Sequence, residues 1–170
     1  VHETHRLRTA EEEPIHAVLD EGTHELPLQP DAGPIELAVE LEIPHALTRV
    51  ELSLLADDGR HAVSLTYRPN DEVLSLDRKG ADGWSEGVAT ARVELQPGGL
   101  LDLRVVLDST SIELFAGAYD TAMSATVYMP RLPTRLALTA VGGGVVVRRL
   151  EAWPLAGTEG SDADGVDVAP

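Results

Sequence analysis

The sequence predicts an all-β protein, a two-layer antiparallel β-sandwich, and three observations support this prediction. Apolar and polar residues alternate in several separate runs, which is the period of a half-buried strand. Turn signals rich in glycine and aspartate separate those runs. No credible amphipathic helix accompanies them, whereas parallel strands would each need a crossover of about a dozen residues or more. Two packed antiparallel sheets therefore fit the pattern best.

The clearest alternating run covers residues 35–43, where every odd position is apolar and Glu36, Glu40 and Glu42 occupy the opposite face. The same period recurs in three further runs, at residues 50–54, 63–67 and 101–107. Shorter apolar runs are also expected to form strands, and they lie at residues 93–95, 112–115, 123–129, 136–141 and 145–150. The sequence thus predicts about ten short strands around one core.

Four turn signals punctuate these runs at a spacing typical of hairpins. They are Asp57-Asp58-Gly59, Ala81-Asp82-Gly83, Pro97-Gly98-Gly99 and Gly142-Gly143-Gly144. Glycine tolerates the positive φ that tight hairpin turns need, and aspartate can bond to its own turn. We therefore expect hairpin connections at these four places.

The chain is expected to form one domain between two less regular segments. With 170 residues and 43% hydrophobic content, it can bury one substantial core. Residues 1–22 are charged and polar, and we interpret them as a linker from an amino-terminal domain that this chain lacks. Residues 23–156 are predicted to be the β-sandwich domain. Residues 157–170 are small and acidic, which indicates a flexible tail.

Composition excludes several classes of partner. The chain has 29 acidic and 13 basic side chains, a formal net charge of -16, so nucleic acid and membrane surfaces are not expected as partners. It has no cysteine, which excludes disulfides and thiolate metal sites. A cytoplasmic and a secreted location remain equally compatible with this composition. No apolar run reaches the roughly 18 residues of a membrane span.

The candidate catalytic and metal-binding motifs of the sequence are better explained as structural features. Asp162-Ala163-Asp164-Gly165 lacks the spacing of a calcium loop, and His2 and His5 lack the spacing of a zinc protease. Ser109 has no nucleophile elbow around it. No metal and no cofactor are therefore expected.

Two carboxylates remain as candidates for glycoside hydrolysis, which uses a pair of acidic residues. Asp108 ends one predicted strand and Glu113 lies on the polar face of the next. The alternative is structural, because both could satisfy turn amides or pair with Arg78. Arg78 could bridge Asp77, Asp108 or Glu113 across adjacent strands. Both interpretations stay open at this point.

The segment Asp108-Ser109-Thr110-Ser111-Ile112-Glu113-Leu114-Phe115 resembles a signature of one enzyme family. That signature, Asp-x-Ser-Ser-x-Glu-x-Phe, lies in the carboxy-terminal sandwich of family-32 glycoside hydrolases, the levanases, inulinases, invertases and other β-fructofuranosidases. In the family, a strand ending in Tyr-x-Pro follows it, as Tyr128-Met129-Pro130 does here. Asp77 and Arg78 resemble the family's Asp-Arg pair at a strand end. The chain departs at Ala116-Gly117-Ala118-Tyr119, where the family has an Asn-Asp-Gly-like turn.

This resemblance extends to both ends of the chain. His5-Arg6-Leu7-Arg8 resembles the segment that leaves the catalytic domain, and Leu150-Glu151-Ala152-Trp153-Pro154-Leu155 resembles the closing strand. The resemblance implies a concanavalin-like jelly roll. The residues that it carries over as structural signature are Asp77, Arg78, Asp108, Ser111, Glu113, Phe115, Tyr128 and Pro130.

The resemblance also implies a function. The chain would be a non-catalytic accessory or stabilising domain of a fructan- or sucrose-hydrolysing glycosidase. It would pack on a five-bladed propeller catalytic domain of the same polypeptide, and in some members the sandwich mediates a homodimer. The propeller's Asn-Asp-Pro, Arg-Asp-Pro and Glu-Cys motifs do not occur in this sequence, so no catalytic residue is expected. Phe115, Tyr119 and Tyr128 are the candidate contacts to the partner domain.

Two other classes of function are compatible with a β-sandwich. An autonomous, lectin-like carbohydrate-binding module would stack sugars on exposed aromatic side chains, and Trp84 is the candidate for contact with a fructan. A purely structural or oligomerising β-domain would have no connection with sugars. Few aromatic side chains are available for a sugar platform, since tryptophan, tyrosine and phenylalanine together make up 4% of the chain.

Overall fold

Two six-stranded antiparallel sheets pack face to face in the computed structural model, which describes residues 16–27, 34–57, 62–82, 87–129 and 132–155. The strands are β1 (Ala17–Leu19), β2 (Gly22–Pro27), β3 (Ile35–Glu42), β4 (Arg49–Leu55), β5 (Ala62–Arg68), β6 (Val73–Asp77), β7 (Val88–Arg92), β8 (Leu100–Leu107), β9 (Ser111–Ala116), β10 (Thr121–Thr126), β11 (Arg135–Val141) and β12 (Val145–Pro154). One short helix, α1 (Lys79–Asp82), separates β6 from β7. The predicted all-β sandwich is confirmed.

The first sheet has the strand order β1-β12-β3-β8-β9-β10, and the second has the order β2-β11-β4-β5-β6-β7. Each pair of neighbouring strands is antiparallel. Within the described ranges no helix is long and apolar enough to cross a membrane.

The core lies between the sheets and is built by the alternation seen in the sequence. In β3, residues at odd positions from Ile35 to Leu41 are buried in the core, and in β8 the same holds from Leu101 to Leu107. The second sheet contributes Leu54 and Tyr67, each at most 1% exposed. Each such side chain contributes about 1.5–3 kcal/mol when buried, so the two apolar faces hold the sheets together.

Two of the predicted strands differ from those in the structure. Residues 93–95 are not a strand, since β7 covers Val88–Arg92 instead. Val93 is nevertheless buried, because its amide donates to the Glu72 carbonyl at 2.8 Å and its side chain packs in the core. The strand expected at 123–129 ends at Thr126 as β10, although Val127 and Met129 continue into the core. Val93, Val127 and Met129 are thus buried in the core although none of them belongs to a strand.

Two of the predicted hairpin turns make other connections. The Gly142-Gly143-Gly144 segment joins β11 to β12, which belong to different sheets, so it crosses between the layers. Gly142 has a φ of +85°, and a Cβ there would lie 2.9 Å from the Thr48 side chain, so only glycine fits. Pro97-Gly98-Gly99 forms a tight turn before β8, closed by a bridge between Gln96 and Leu100. It does not join two paired strands.

The ordered sheets begin within the segment expected to be a linker. β1 pairs with β12 from Ala17 opposite Val147 to Leu19 opposite Val145, and β2 starts at Gly22. The early start of the first sheet has a physical reason. Without β1, β12 would be an edge strand with unpaired main-chain N–H and C=O groups. Residues 1–15 and the tail at 157–170 lie outside the described residues, and the predicted tail stays a prediction.

Candidate functional site

Most of the signature residues meet at one end of the sandwich, here called the signature end and defined by Asp77, Arg78, Asp108, Ser111 and Tyr128. Arg78 follows β6, the Asp108–Ser111 turn joins β8 to β9, and Tyr128 follows β10. A main-chain hydrogen bond joins two of these segments, because the Val127 amide donates to the Thr110 carbonyl at 3.0 Å. The fold thus brings together residues that are up to 51 positions apart, from position 77 to position 128.

The Asp108 carboxylate stabilises the signature turn. Its Oδ1 accepts a hydrogen bond from the Ser109 amide at 2.6 Å, and the Asp108 amide donates to the Ser111 carbonyl at 2.9 Å. An aspartate that bonds to its own turn is a common local device. The structure therefore supports the structural interpretation of Asp108, in which it satisfies a turn amide.

Arg78 has a different partner from the carboxylates expected. Its guanidinium donates to the main-chain carbonyl of Thr126, and in the described part of the chain it forms no ion pair with Asp77, Asp108 or Glu113. Asp77 instead accepts from the Lys79 amide at 2.9 Å and caps α1. The predicted ion pair is thus wrong, because the end of β10 offers Arg78 a main-chain acceptor. The hydrogen bond from Arg78 to Thr126 still links the end of β6 to the end of β10.

Arg78→Ala is expected to lower the free energy of unfolding by about 1 kcal/mol, because the substitution removes a charged donor from the Thr126 carbonyl. Chemical denaturation of both proteins would measure it. Arg49→Ala removes an exposed arginine from the start of β4 and serves as the matched control. If the two variants lose equal stability, the link from β6 to β10 contributes nothing specific.

Asp108 and Glu113 lack the setting of a glycosidase pair. The general acid of such enzymes is held in a buried, apolar environment that favours its protonated form. Both side chains are exposed here, and the Asp108 carboxylate is engaged in its turn. Glu113 lies on the face of β9 that points away from the core, opposite Val106 and Ser124. No group of three or more His, Asp or Glu suited to a metal ion occurs within the described ranges.

A second cluster lies on the face of the first sheet that points away from the core, and sequence reasoning missed two of its members. We call it the outer-face network and define it by Glu36, Arg104, Phe115 and Tyr119. The Arg104 guanidinium pairs with Glu36, which is 0% exposed, and donates to the Tyr119 hydroxyl at 2.8 Å. The rings of Phe115 and Tyr119 lie 5.8 Å apart at 55°. An ion pair buried on the outer side of a sheet is unusual.

Electrostatics within the outer-face network favour the charged form of Arg104. Burial lowers the pKa of its guanidinium, but the hydrogen bond to Tyr119 and the negative charge of Glu36 outweigh burial and raise it. The guanidinium also lies 5.9 Å from the centre of the Tyr119 ring, within cation–π range. Arg104 is therefore a permanent cation that holds both neighbours in place.

The tip between β9 and β10 places Tyr119 over the outer face. Gly117, Ala118 and Tyr119 have φ values of 61°, 56° and 74°, so three consecutive residues adopt the left-handed conformation. This conformation costs a residue with a side chain roughly 1 kcal/mol or more. It occurs where the chain departs from the Asn-Asp-Gly-like turn of the family. The contacts to Arg104 and Phe115 offset the cost.

The candidate interface aromatics differ in exposure. Tyr128 is 60% exposed, Tyr119 is 46% exposed, and Phe115 is half-buried. Both tyrosines are therefore available to a partner, and the Phe115 ring packs against the Tyr119 ring. Trp84 and Pro130 lie outside the described residues, so their roles stay predictions.

Residues 3–154 match the family described as "Glycosyl hydrolases family 32 C terminal". The match covers most of the chain and includes both sheets. The chain belongs to this family. Its membership confirms the resemblance that the signature segment indicated.

Solved structures share the fold of this family-32 C-terminal chain at low sequence identity. The chain is similar to an exo-inulinase from Aspergillus awamori, with a TM-score of 0.76, 15% identity, and coverage of 90% of this chain and 31% of that one. For fructan 1-exohydrolase IIa from Cichorium intybus the values are 0.76, 16%, 92% and 37%. For a fructofuranosidase from Schwanniomyces occidentalis, solved with fructose, they are 0.65, 10%, 87% and 34%. The chain thus spans about a third of these proteins.

Proposed function

We propose that this chain is a non-catalytic accessory and stabilising domain of a glycosidase that hydrolyses fructans or sucrose. One observation carries the proposal: the chain aligns over 90% of its own length but over only 31% of the exo-inulinase chain. The remaining two thirds of such a protein must hold its other functions. In this proposal they belong to a propeller catalytic domain of the same polypeptide, against which the sandwich packs.

The names of the neighbours support the proposed substrate class. Their names describe enzymes that act on inulin, other fructans and fructofuranosides. In the described part of this chain, the two carboxylates considered for catalysis are exposed, and one of them stabilises a turn. We therefore assign hydrolysis to the partner domain and support of that domain to this chain.

The outer-face network suits contact with a partner domain. Interfaces between domains of one chain are more polar than obligate interfaces, and their anchors are often tyrosine and arginine. Here Arg104 already holds the Tyr119 ring in the isolated chain, so the Tyr119 side chain would lose little conformational entropy on docking. Tyr128 provides a second exposed ring at the signature end.

The proposal is tested by producing three proteins: this chain, the polypeptide encoded directly upstream of it, and the two joined in their native frame. Sucrose and inulin hydrolysis and the melting temperature are measured for each. We expect no hydrolysis by this chain, and a melting temperature for the upstream polypeptide that rises by several degrees when it is joined to the sandwich. Because 1 kcal/mol shifts the melting temperature by about 2–4 °C at 150–250 residues and by less in a longer protein, such a rise corresponds to a stabilisation of several kcal/mol.

Two variants of the joined protein locate the contact. Tyr119→Ala and Tyr128→Ala each remove one exposed ring, and Val18→Ala, at a residue 80% exposed, is the matched control. We expect one or both tyrosine variants to reduce the stabilisation, and Val18→Ala to leave it unchanged. Hydrolysis of sucrose or inulin by this chain alone, or an upstream polypeptide whose melting temperature ignores the sandwich, would contradict the proposal.

A further inference from the structure

A cavity of about 600 Å³ opens at the end of the sandwich opposite the signature end. It lies where β3 finishes and β8 begins, and Glu42 pairs there with Leu100. The polar residues that line it are Glu42, His45 and Asn70, and the apolar ones include Pro44, Pro69 and Leu95. We call it the loop-end cavity. Its volume falls in the range of about 300–1,000 Å³ that small-molecule sites occupy.

Main-chain hydrogen bonds hold three of the cavity's walls in a fixed shape. The Ile43 amide donates to the Gly99 carbonyl at 2.8 Å, which ties the end of β3 to the turn before β8. The Leu47 amide closes the turn that begins at Pro44, at 3.0 Å, and the Glu72 amide closes the turn that begins at Pro69, at 3.3 Å. A site with rigid walls loses little conformational entropy when a ligand binds.

The turn at Gly98 and Gly99 requires glycine for its conformation. Their φ values are +87° and +76°, and a Cβ on Gly99 would lie 3.1 Å from the Ile43 carbonyl oxygen. The absence of side chains there keeps this wall of the cavity open, so a ligand can approach the main chain directly.

Arginine side chains balance the acidic groups around the loop-end cavity, although the chain as a whole is strongly acidic. Glu42 pairs with Arg148, Asp71 with Arg68 at 3.2 Å, and Glu72 accepts from Arg92 Nε at 2.9 Å. These pairs reduce the local negative charge, so the cavity offers little attraction to a cation. A neutral ligand with many hydroxyl groups suits it better.

We propose that the loop-end cavity binds a short neutral saccharide. The Glu42 carboxylate, whose Oε2 pairs with Arg148, can accept a hydrogen bond from a sugar hydroxyl at Oε1. The Asn70 amide can both donate and accept, and His45 can do either according to its tautomer. The rings of Pro44 and Pro69 and the Leu95 side chain provide apolar surface for the C–H groups of a sugar ring. The lining of the loop-end cavity is thus polar and apolar in comparable measure, and placed polar groups fix the orientation of a ligand in small-molecule sites.

The loop-end cavity lies at the opposite end of the sandwich from Tyr128, and its binding test uses this chain alone, so the test does not depend on the accessory role. Only the selection of a fructosyl probe rests on the proposed function. Failure of the stabilisation test above would leave the saccharide site standing, and failure of the saccharide test would leave the accessory role standing.

The test is a titration of the 15N-labelled chain with 1-kestose and, separately, with maltotriose, followed by amide chemical shifts. We expect saturable shifts at Asn70, Gly98 and Gly99 with at least one of the two. A response to 1-kestose alone identifies a fructosyl ligand, and a response to both identifies recognition of neutral saccharides in general. Asn70→Ala and His45→Ala should each raise the dissociation constant about fivefold, the effect of one lost hydrogen bond.

Thr110→Ala removes an exposed polar group from the signature end and should leave the dissociation constant unchanged. Asn70 and His45 are exposed, so their variants should keep the melting temperature of the parent chain. No saturable shift with either saccharide would overturn the proposal. Shifts confined to residues 83–86 would also overturn it and would favour a site around Trp84 instead.

Discussion

Arg104→Ala is expected to lower the free energy of unfolding by about 3–5 kcal/mol, the typical cost of removing one partner from a buried ion pair. Glu36 is 0% exposed and the Arg104 side chain is 10% exposed, so water cannot replace the guanidinium easily. The same substitution removes the donor to the Tyr119 hydroxyl. It therefore also releases the left-handed tip between β9 and β10. Urea denaturation of the isolated chain measures the loss.

The matched control is Arg135→Ala, which breaks an exposed ion pair with Glu25 at 3.2 Å. Exposed pairs contribute about 0–1 kcal/mol, so the control should differ from Arg104→Ala by several-fold. A second variant separates charge from packing: Glu36→Gln in the Arg104→Ala background removes the buried negative charge and should recover part of the lost stability. Equal losses for Arg104→Ala and Arg135→Ala would contradict the role assigned to the outer-face network.

The sheets themselves could be predicted from local pattern. Alternation from Ile35 to Leu41 places the odd-numbered residues of this run in the core as expected, and β4 and β5, the strands on either side of the turn predicted at residues 57–59, pair with each other. Pattern could not assign strands to sheets. The triglycine segment resembles a hairpin turn in sequence, yet it crosses between the layers, because its geometry depends on the approach to Thr48. The pairing of β1 with β12 depends likewise on a distant edge.

The outer-face network shows why part of the candidate site could not be predicted. Glu36 and Arg104 occupy polar positions of alternating strands, and alternation alone assigns such positions to solvent. Their burial depends on the fold of the whole chain, including the return of Tyr119 across the sheet. The signature did locate the turn at Asp108. The signature did not predict that Arg78 bonds to the Thr126 carbonyl, because every residue has a main-chain carbonyl and the sequence does not show which one is in reach.

Alkaline pH is expected to destabilise the domain through Tyr67, a side chain 1% exposed whose hydroxyl donates to the Val93 carbonyl at 2.9 Å. Burial, with a smaller effect from the negative charge of Glu72, raises the pKa of Tyr67 from 10.0 to about 12. The folded state therefore favours the neutral phenol. This contribution is fully present below pH 10, and it is lost as pH rises from about 10 to about 12.

The expected loss is on the order of 1–3 kcal/mol over that window, read from urea denaturation between pH 8 and about 12. Tyr67→Phe removes the titrating group. At neutral pH the variant should be less stable by about 1–3 kcal/mol, because the Val93 carbonyl loses its donor. Above pH 10 the difference from the parent chain should shrink, since only the parent must ionise a buried phenol. Tyr128→Phe changes a ring that is 60% exposed and should leave the stability curve unchanged. If the curves of the parent chain and Tyr67→Phe stay parallel from neutral to alkaline pH, Tyr67 does not govern the alkaline loss, and another buried group must.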